Sequence, residues 1–510
     1  MEARDRNLYR CITDNGAGGL SCSVGEMARL TGGAELDLAK APLKYEGLQP
    51  WEILVSEAQE RMTLAVAPEK LAAFMELARR RDVEASALGT FTTSGYFLIR
   101  HGTNIVGQLD MNFLYRGCPL MVLQAQWTPP KVLAPQPARG SGRTRALRRL
   151  LASLNICSKV FKSRQYDGDV KALGVVRPYV GVSNDIPSDA SVLRLSYTSP
   201  EGIILAEGIN PFYADLDTYW MMAAVIDEAV RRIISVGGQL GTIAGLDNFC
   251  WPDPVESEKT PDGRYKLAQL VRANRAIYDV TTAYLVPCIS GKDSCKNDST
   301  RGGRKISIPP TVLFSTLAPM ADVRLAITMD LKQPGDSIYI IGLTHSELGA
   351  SAYHRMLAEE QNTPQNYGGQ VPRLDTELAL KIYAAMYQAI QQGLLQSSHT
   401  PTQGGLAVAA ALSALGGGLG AQIDLDKIPA TEALSLDARL FSESNSRFIV
   451  SVSQPKRAAF EALFKDLPCA AVGSVTAATR LIITGGNGRE LINSDLAALR
   501  QAFQETLHGL

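Results

Sequence analysis

The sequence predicts an α+β protein that contains two tandem copies of one folding unit, with the first copy incomplete. Three observations support this prediction: an internal repeat, helical and strand-like patterns in the same order in each copy, and a Pro/Gly-rich segment between the copies. The repeat is clearest where VSEAQERMTLAVAPEKLAAF (55–74) matches FSESNSRFIVSVSQPKRAAF (441–460). Self-similarity in one register is the sequence signature of duplicated structural units.

A single register aligns the two copies over a long stretch. Ser56 and Ser442 are 386 residues apart, and the same distance separates Gly18 from Gly404, each of which begins a Gly-Gly-Leu triplet. Three further identical pairs share the register: Glu57 with Glu443, Arg61 with Arg447, and Lys70 with Lys456. Chance does not readily keep a glycine pair, a Ser-Glu segment and a helix in one register. We therefore interpret the repeat as a duplication.

Each copy begins with the Gly-Gly pair and an alanine-rich helix, because apolar residues there recur at helical spacing. The Ser-Glu segment follows, and then an alternating apolar pattern that predicts a strand. We expect a second helix next, and then a glycine that precedes a further strand. The predicted elements, first copy then second, are helices at 20–30 and 406–415, strands RMTLAV and RFIVSV, helices starting near Pro68 and Pro455, and strands GYFLIR and RLIIT.

The first copy is shorter at its front. Residues 176–403 precede the Gly-Gly pair of the second copy, whereas only residues 1–17 precede that of the first. A layered fold needs its leading part to cover the apolar faces of the rest. The sequence therefore predicts that this chain is the C-terminal part of a larger protein, or meets a partner that supplies the missing half.

A linker separates the copies. The segment TPPKVLAPQPARGSG (128–142) is rich in Pro and Gly and is expected to be irregular. Leucines then recur at helical spacing, at Leu147, Leu150, Leu151 and Leu154. The five arginines from Arg139 to Arg149 suit either a phosphate or nucleic-acid patch or the solvated face of an amphipathic helix, and we favour the second interpretation.

Composition and charge exclude several classes of protein. The 510 residues are 45% hydrophobic and 20% charged, as expected for a globular protein with real cores. Basic and acidic residues balance at 51 each, so net charge gives no indication of a polyanionic partner. The eight cysteines show no CxxC or CxxH spacing, which indicates neither a zinc site nor a disulfide framework.

The sequence shows no clear targeting or membrane signal. Residues 1–19 lack an apolar core region, so we expect no signal peptide. Residues 404–423 are uncharged and long enough to span a membrane, but glycines at 416–418 and 420 interrupt them. We interpret this stretch as a helix ended by glycine, which tolerates left-handed backbone, and we expect a cytoplasmic protein.

Six motifs occur in order along the chain: TDNGAGGLSCSVGEMA (13–28), VSEAQERM (55–62), RQYDGDV (164–170), PSDASV (187–192), SGKDSCKND (290–298) and QGGLAVA (403–409). Together with the duplication, they resemble the PurL family, the synthetase part of phosphoribosylformylglycinamidine synthases. The resemblance covers essentially the whole chain. Related families, such as aminoimidazole ribonucleotide synthetase and selenophosphate synthetase, usually carry one unit per chain, so two fused units favour PurL.

The resemblance implies two PurM-like A–B units related by a pseudo-two-fold axis. It implies an ATP- and Mg²⁺-dependent C–N ligase of de novo purine biosynthesis, which converts formylglycinamide ribonucleotide to the amidine through a phosphorylated amide oxygen that ammonia displaces. The ammonia would come from a glutaminase that this chain does not contain. Because the general-base His and the ATP loop of the family would lie upstream of Met1, we expect the 510 residues alone to be inactive.

The resemblance also predicts the domain boundaries. We expect a remnant of the first A domain at 1–50, the first B domain at 51–126, a linker at 127–175, the second A domain at 176–320, and the second B domain, with its Gly-Gly helix, at 321–510.

Asp14 is the predicted metal ligand of the first copy. It precedes a glycine-rich turn and a helix N-terminus, where backbone N–H groups favour anions. A carboxylate at that edge suits Mg²⁺ on substrate phosphates, whereas the alternative is an Asp that only caps the turn or helix. The resemblance implies a metal-binding Asp at this place and therefore favours the metal.

Glu57, Ala58 and Gln59 match the Glu-Ser-Gln segment with which the family contacts its ribonucleotide. A carboxylate and an amide suit sugar hydroxyls and amide N–H groups, although Ala58 lacks the usual hydroxyl. The alternative is a structural Arg61–Glu57 pair. We favour the substrate site for Glu57 and the structural role for Glu443.

In the second copy, the resemblance implies that Asp189 and Glu228 hold Mg²⁺ on a nucleotide that Thr402 contacts. However, Arg232 and Thr400 stand where the family has Asn and Asp. Two carboxylates without the third weaken a site for a hard cation, and Arg232 could supply its own charge instead. We therefore do not expect this site to bind Mg-ADP as the long members of the family do.

Gly291, Lys292 and Ser294 are predicted to lie in a loop after an apolar strand. A glycine, an ammonium and a hydroxyl together can contact phosphate. The resemblance implies nucleotide binding by Gly291 and Lys292 and substrate binding by Ser294. No residue of the chain can be assigned the catalytic base.

Two alternatives remain beside a PurL synthetase. One is another iminophosphate-forming synthetase or small-molecule kinase of the same superfamily, which the doubled unit disfavours. The other is a non-catalytic PurM-like binding or scaffold protein, which the substitutions Arg232 and Thr400 favour. Calorimetry with ADP and Mg²⁺ distinguishes an active nucleotide site from a scaffold.

Overall fold

A computed structural model of the chain describes residues 1–136, 142–166 and 170–508. Two compact units, Met1–Val122 and Leu123–Leu510, make up the protein. Arg139 of the arginine cluster and residues 167–169 of the RQYDGDV motif lie outside the described residues. Among the described helices, none combines the length and the apolar composition that crossing a membrane requires.

Unit 1 consists of a helical layer on a small sheet. Its helices are α1 (Glu2–Asp5), α2 (Gly19–Thr31), α3 (Pro50–Val55), α4 (Pro68–Arg80) and α5 (Met111–Arg116), and its strands are β1 (Cys11–Asp14), β2 (Ala34–Asp37), β3 (Met62–Ala65), β4 (Gly89–Phe91), β5 (Tyr96–His101) and β6 (Asn104–Asp110). The strands form a sheet of order β4-β2-β5-β6 and a separate pair β1-β3. Apolar residues of α2, including Leu20, Val24 and Ala28, pack on Phe97 and Ile99 of β5 to form the core.

The first part of unit 2 contains a long mixed sheet. Its helices are α6 (Arg143–Ala152), α7 (Val160–Ser163), α8 (Thr218–Ser235) and α9 (Gly263–Tyr284), and its strands are β7 (Gly174–Val176), β8 (Tyr179–Val180), β9 (Ile186–Pro187), β10 (Ser191–Arg194), β11 (Gly202–Gly208), β12 (Ala244–Cys250), β13 (Cys288–Ser294), β14 (Asp298–Arg301), β15 (Arg304–Ser307) and β16 (Thr311–Met320). The sheet order is β13-β12-β16-β11-β10-β7. The helix α8 packs on α9 and on the strands β11 and β16, so one face of the sheet is covered.

The second part of unit 2 repeats the architecture of unit 1 in longer form. Its helices are α10 (Ala352–Glu360), α11 (Thr376–Gln391), α12 (Gly405–Gly417), α13 (Leu436–Phe441), α14 (Arg457–Leu463) and α15 (Leu496–Glu505), and its strands are β17 (Ser337–Ile341), β18 (Ser397–His399), β19 (Gly420–Asp424), β20 (Phe448–Val452), β21 (Cys469–Thr476), β22 (Arg480–Gly485) and β23 (Arg489–Asp495). They form a sheet of order β18-β20-β17-β21-β19-β22-β23.

The glycine pairs adopt the same backbone in both copies, which confirms the duplication. Gly18 and Gly404 precede α2 and α12 with φ of 80° and 79°, in the left-handed region that favours glycine. A Cβ on Gly19 would lie 2.2 Å from the carbonyl oxygen of Ser56, and a Cβ on Gly405 would lie 2.5 Å from that of Ser442. Only glycine allows the helix to approach the Ser-Glu segment so closely. The predicted fold of helices and strands in tandem units is therefore confirmed.

The predicted boundary near residue 50 is corrected by the pairing of strands. Strand β2, which lies within the predicted A-domain remnant 1–50, pairs in parallel with β5 from the predicted B domain. Helix α2 matches α12 of the second B domain in its position in the chain and in its glycine cap. Residues 1–50 and 51–126 therefore contribute to one sheet, because the Gly-Gly helix and the strand after it belong to the repeated B-type unit.

The predicted linker helix is part of unit 2. In α6, Leu147, Leu150 and Leu151 are fully buried, and the helix contacts α15 and β23, whereas Leu154 lies beyond its end and is exposed. Two of the four arginines of this helix pair with carboxylates: Arg143 Nε lies 2.7 Å from Asp437, and Arg149 pairs with Glu360. These contacts support the amphipathic-helix interpretation over a phosphate patch.

Candidate functional site

A glycine-rich turn between β1 and α2 carries the predicted metal ligand of the first copy. Asp14, the last residue of β1, is exposed, and one carboxylate oxygen accepts a hydrogen bond from the N–H of Gly16 at 2.7 Å. A Cβ on Gly16 would lie 2.6 Å from that oxygen, so a larger residue there would displace the Asp14 carboxylate from this hydrogen bond. Asp14 therefore does cap its turn, as the alternative interpretation predicted, while its other oxygen has no hydrogen bond within the described residues.

A buried polar cluster stabilises the turn between β1 and α2. The side-chain oxygen of Asn15 accepts hydrogen bonds from the hydroxyls of Ser23 and Thr63, the second at 2.8 Å. The cluster joins β1, α2 and β3. The sequence analysis did not predict this cluster. Comparing the copies could have shown it, because the three polar residues of the first copy correspond to Pro401, Ala409 and Ile449 in the second.

The predicted substrate residues of the first copy lie beside this turn. Gly18 N–H donates to the carboxylate of Glu57 at 3.3 Å, which places Glu57 at the N-terminus of α2. Glu57, Ala58 and Gln59 are all exposed. Arg61 donates to the carbonyl oxygen of Ser56 rather than to Glu57, so the alternative Arg61–Glu57 pair is wrong. The turn thus presents exposed carboxylates and an amide next to backbone N–H groups.

The matching carboxylate of the second copy is sealed inside the protein. Glu443 is buried and accepts hydrogen bonds from the N–H groups of Ala352 and Gly404, at 2.9 and 2.8 Å, and from the hydroxyl of Tyr213. Burial raises the pKa of Glu443, although these hydrogen bonds oppose the shift. Glu443 is therefore structural, and protein groups occupy the space that is open beside Glu57.

Asp189 and Glu228, the predicted metal ligands of the second copy, contact His399 and Arg232 respectively. Asp189 is buried, with His399 Nδ1 at 2.9 Å and the Thr400 hydroxyl donating at 2.8 Å. Glu228 pairs with Arg232 at 2.6 Å. Burial alone would raise the pKa of Asp189, but the charge of His399 and its hydrogen bond, helped by Arg232, bring the pKa below its ordinary value.

These contacts do not favour a metal ion between Asp189 and Glu228. Both carboxylates already have protein partners, His399 for Asp189 and Arg232 for Glu228, and the guanidinium of Arg232 would repel a cation. Within the described parts of the chain, no three His, Cys, Asp or Glu side chains come together in a way that could hold a metal ion. The metal site at these two residues stays a prediction, and the protein partners of both carboxylates argue against it, as Arg232 did in the sequence.

A buried hydrogen-bonded cluster around Asp227 was missed by sequence reasoning. The Asp227 carboxylate is fully buried and accepts from the Tyr284 hydroxyl at 2.7 Å, from the N–H of Ser446 at 3.0 Å, and from Tyr383 and Arg231. These partners come from α8, α9, α11 and the segment before β20. The cluster therefore ties the two parts of unit 2 together. The available signal was an Asp on the apolar face of α8.

The SGKDSCKND motif lies on a strand rather than in the predicted loop. Gly291, Lys292 and Ser294 belong to β13, an edge strand that pairs in parallel with β12, and the residues before it end helix α9. Lys292 is exposed and its ammonium donates to the hydroxyl of Ser294. A Cβ on Gly291 would lie 2.9 Å from a carboxylate oxygen of Asp247, whose pKa is raised by burial and by nearby Asp293.

Thr402 lies in the turn before α12. Its carbonyl oxygen accepts the N–H of Gly405 at 2.9 Å, which shapes the glycine turn of the second copy. Its side chain is half-buried.

The sequence matches a known domain family in both copies of the repeat. Residues 1–101 and 333–486, half of the chain, match the family described as AIR synthase related protein, C-terminal domain. The chain belongs to the AIR synthase related family. The two matched segments contain the Gly18–Gly19 and Gly404–Gly405 turns, so this AIR synthase related chain carries the family's C-terminal domain twice.

Curated relatives of this AIR synthase related chain are subunits named phosphoribosylformylglycinamidine synthase subunit PurL. The subunit of Methanothermobacter marburgensis is 30% identical over 502 residues, which cover 98% of this chain and 64% of the relative. The subunit of Deinococcus radiodurans is 30% identical over 521 residues, which cover 100% of this chain and 66% of the relative. The chain thus spans about two-thirds, 64% to 66%, of the length of these relatives.

Solved PurL structures share the fold of this AIR synthase related chain. Thermotoga maritima PurL complexed with ATP has a TM-score of 0.59 and 19% identity, with 93% of this chain and 65% of that chain covered. The same protein complexed with FGAR has a TM-score of 0.58 and 19% identity, with 93% and 63% covered. The resemblance to the PurL family drawn from the ordered motifs is confirmed.

Proposed function

We propose that this chain is the synthetase portion of a phosphoribosylformylglycinamidine synthase. The observation that carries the proposal is the contrast between the copies: the glycine-rich turn with Asp14 and Glu57 is open in the first, whereas the matching turn is filled by Glu443 and its partners in the second. The names of the relatives support the activity, and a related protein complexed with FGAR supports the substrate. The chain covers about two-thirds of those proteins, so the whole activity is a proposal.

The reaction joins ammonia to an amide carbon at the expense of ATP. The amide oxygen of formylglycinamide ribonucleotide attacks the γ-phosphorus of ATP and ADP leaves. Ammonia then adds to the same carbon, and inorganic phosphate departs with the former amide oxygen to give the amidine. Proteins accelerate such phosphoryl transfers mainly by positioning and by stabilising charge.

Glu57 and Gln59 are proposed to orient the ribonucleotide. Both are exposed beside the N-terminus of α2, where an N–H group and the helix dipole favour anionic substrate groups. A carboxylate accepts hydrogen bonds from sugar hydroxyls, and an amide can both donate and accept. Ala58 contributes backbone only, since its methyl group cannot replace the hydroxyl of the family's Ser.

The residues at Asp14 fit a magnesium ion that is shared with substrate phosphates. Asp14 is exposed and keeps one carboxylate oxygen without a hydrogen bond in the described residues, while Gly16 N–H fixes the other. Mg²⁺ is commonly held by one or two carboxylates, water and phosphate oxygens. When bound, the ion would neutralise charge on the phosphates; Asp14 itself orients it against the glycine-rich turn.

Lys292, Ser294, Gly291 and Thr402 are proposed to serve the nucleotide and the phosphorylated substrate. Lys292 is exposed and Ser294 is half-buried at the edge of the sheet, and the ammonium of Lys292 donates to the hydroxyl of Ser294. Together they can donate hydrogen bonds to a phosphate oxygen, and the bond from the ammonium is charge-assisted. Gly291 keeps the backbone close to Asp247 and leaves the outer side clear.

The proposal includes partners and a location. Ammonia is supplied by a glutaminase domain or subunit, and protein outside residues 1–510 supplies the base and the remaining ATP contacts, so that the chain alone is inactive. We place the complex in the cytoplasm. Turnover of formylglycinamide ribonucleotide by the purified chain with ATP, Mg²⁺ and ammonium chloride would contradict this part of the proposal.

The second copy favours one competing function. Arg232, Thr400 and Glu443 fill the matching site with protein contacts, as a PurM-like binding or scaffold protein would require. The scaffold proposal predicts no ligand at either copy, whereas the synthetase proposal predicts that the ribonucleotide binds at the Glu57 turn of the first copy and not at the Glu443 turn of the second.

Calorimetry with two matched substitutions tests the proposed site. Glu57→Gln should weaken binding of formylglycinamide ribonucleotide at least tenfold, because it removes a carboxylate at the substrate turn. Glu69→Gln, on the exposed first turn of α4, should leave binding unchanged. Equal binding by the two variants would refute the role of Glu57, and absence of binding by the unsubstituted chain would favour the scaffold.

A further inference from the structure

The hairpin of β14 and β15 carries two arginines directly opposite each other. Arg301 is the partner of Arg304 in the antiparallel register, and Gly302 and Gly303 form the two-residue turn between them, with φ of 55° and 75°. Both arginines are exposed. Because directly opposite residues of a strand pair point to the same face, the two side chains lie on one side of the hairpin.

This pair of arginines is unfavourable without an anion. Like charges that lie directly opposite each other destabilise a strand pair. Within the described residues, neither Arg301 nor Arg304 forms an ion pair or a side-chain hydrogen bond. Two guanidinium groups on one face suit a phosphate group, because its oxygens accept charge-assisted hydrogen bonds from the planar donor pairs of arginine.

The opposite face of the hairpin is already neutralised by the protein. The ammonium of Lys305, on that face, lies 3.7 Å from the carboxylate of Asp253 and 3.4 Å from that of Asp298. Successive side chains of a strand point to opposite faces, so these carboxylates lie on the side away from the two arginines. The positive charge of the arginine face is therefore left for a ligand.

A cavity adjoins the arginine face. Its volume is about 440 Å³, and its lining includes Asn297, Asp298, Ser299, Ile306, Ile308 and Pro309. Ser299 and Ile306 lie two residues from the arginine pair, one on each strand, and therefore on the same face. At about 3.4 Å per residue, they are roughly 7 Å from the arginines along the hairpin. Cavities of about 300–1,000 Å³ are of the size that binds small molecules.

We propose that this face of the hairpin binds a phosphomonoester whose body has the size of a nucleoside. The phosphate group lies between Arg301 and Arg304. The body lies in the cavity, with an apolar ring face on Ile306 and Pro309 and a polar group at the hydroxyl of Ser299. The spacing of roughly 7 Å between the arginines and the cavity side chains matches one ligand that carries its phosphate at one end.

This site differs from the nucleotide site proposed on β13. Lys292 and Ser294 belong to β13, whereas the arginines lie at the tip of the hairpin that follows it in the chain. The inference does not rest on the proposed activity. Its failure would leave the proposals for Lys292 and Ser294 unchanged, because the test below reads the hairpin directly.

Hydrogen–deuterium exchange on the full chain, with AMP as the probe, tests the site. We expect AMP to slow exchange at residues 299–306. Adenosine lacks the phosphate and should give no protection there at the same concentration, and inorganic phosphate should protect less than AMP because it leaves the cavity empty. Added salt should weaken the protection by AMP, because exposed charges are screened.

Substitution of both arginines tests their role. Arg301→Gln combined with Arg304→Gln should raise the AMP concentration needed for protection by about tenfold or more, because it removes the charge-assisted hydrogen bonds. The fold should be kept, since both side chains are exposed, and circular dichroism checks this. The matched control is Arg145→Gln combined with Arg194→Gln, two exposed arginines that also form no ion pair in the described part of the chain, and it should leave protection unchanged.

A third variant separates the hairpin from the site proposed on β13. Lys292→Gln should leave the protection of residues 299–306 by AMP unchanged. Loss of that protection would overturn the proposal, because the hairpin would then belong to the β13 site.

Several other outcomes would also overturn the proposal. These are no protection at residues 299–306 by AMP, equal protection by adenosine, and unchanged protection in the folded double arginine variant. Equal protection by inorganic phosphate would overturn the role of the cavity. Stronger protection by a poly-glutamate peptide than by AMP would show that an acidic protein segment is the ligand of this face instead.

Discussion

Glu57 and Glu443 occupy the same position in the two copies, yet only Glu57 is exposed to solvent. Each accepts a hydrogen bond from the glycine that precedes the Gly-Gly helix, Gly18 in one copy and Gly404 in the other. Glu443 gains Tyr213 and Ala352 as further partners, from segments that have no counterpart in unit 1. One carboxylate thus holds the fold together while its duplicate is free to meet a ligand.

This difference predicts unequal effects on stability. Glu443→Ala should destabilise unit 2 by about 2–4 kcal/mol, because it leaves buried donors unsatisfied. Glu57→Ala should change the free energy of unfolding by less than about 0.5 kcal/mol, as for other exposed positions. Urea unfolding followed by fluorescence of the buried Trp251 provides the measurement. Equal destabilisation by both substitutions would contradict the structural assignment of Glu443.

The pKa of Asp189 predicts a specific dependence on pH. Burial opposes ionisation, but His399 and the Thr400 hydroxyl bring the pKa below the ordinary value of 3.8. A carboxyl whose pKa is lower in the folded than in the unfolded state stabilises the fold above its unfolded pKa, and this contribution is lost as pH falls through the folded pKa. Asp189→Asn should therefore cost stability at pH 7 and progressively less below about pH 4.

Urea midpoints of the unsubstituted chain and of Asp189→Asn, measured from pH 7 down to pH 3, test this dependence. The difference between the two proteins should shrink at the acid end. A difference that stays constant or grows on acidification would contradict the charged state assigned to Asp189.

Removing single carboxylates should separate the two candidate metal positions. Asp14→Asn keeps an oxygen that can accept the Gly16 N–H but lacks the charge, so Mg²⁺-dependent binding of ATP should weaken at least tenfold. Glu228→Gln should change that binding less than twofold, because Arg232 already compensates Glu228. The measurement is calorimetric titration of each variant with ATP, once in the presence of Mg²⁺ and once with EDTA instead of Mg²⁺. A larger loss of Mg²⁺-dependent ATP binding in Glu228→Gln than in Asp14→Asn would instead indicate a metal site at Glu228.

The Asp227 cluster predicts a large loss of stability. Asp227→Ala leaves Arg231 buried without its anion and leaves the Tyr284 hydroxyl without an acceptor, and breaking such a buried pair costs about 3–5 kcal/mol. Glu256→Ala is the control, because Glu256 pairs with Arg264 on the exposed surface of the same unit and should not change the unfolding midpoint measurably. Thermal unfolding by calorimetry compares them, and similar melting temperatures would contradict the role of Asp227.

The repeat could be predicted because its constraints are local. Gly19 and Gly405 must lack a side chain for the helix to approach the Ser-Glu segment, so the glycine pair marks both copies in the sequence. The alternating strands and alanine-rich helices follow from hydrophobic spacing. The Arg232–Glu228 ion pair could likewise be anticipated, because a cation four residues along the same helix lies one turn from Glu228.

Other features could not be predicted because they depend on distant partners. Asp227 accepts hydrogen bonds from Tyr383 and Ser446, which lie 156 and 219 residues further along the chain, so no local sequence pattern predicts the cluster. Residues 291–294 of strand β13 were predicted as a loop because they are polar and begin with a glycine. An exposed edge strand carries little of the apolar alternation by which strands are recognised.

A crystal structure of the chain with formylglycinamide ribonucleotide tests the central claim most directly. We predict electron density for the ribonucleotide at the first copy, with its polar groups against Glu57, Gln59 and the N–H of Gly18. We predict no ribonucleotide density at the Gly404 turn, where Glu443 keeps its hydrogen bonds. Ligand density at the Gly404 turn with Glu443 displaced, and an empty Gly18 turn, would contradict it.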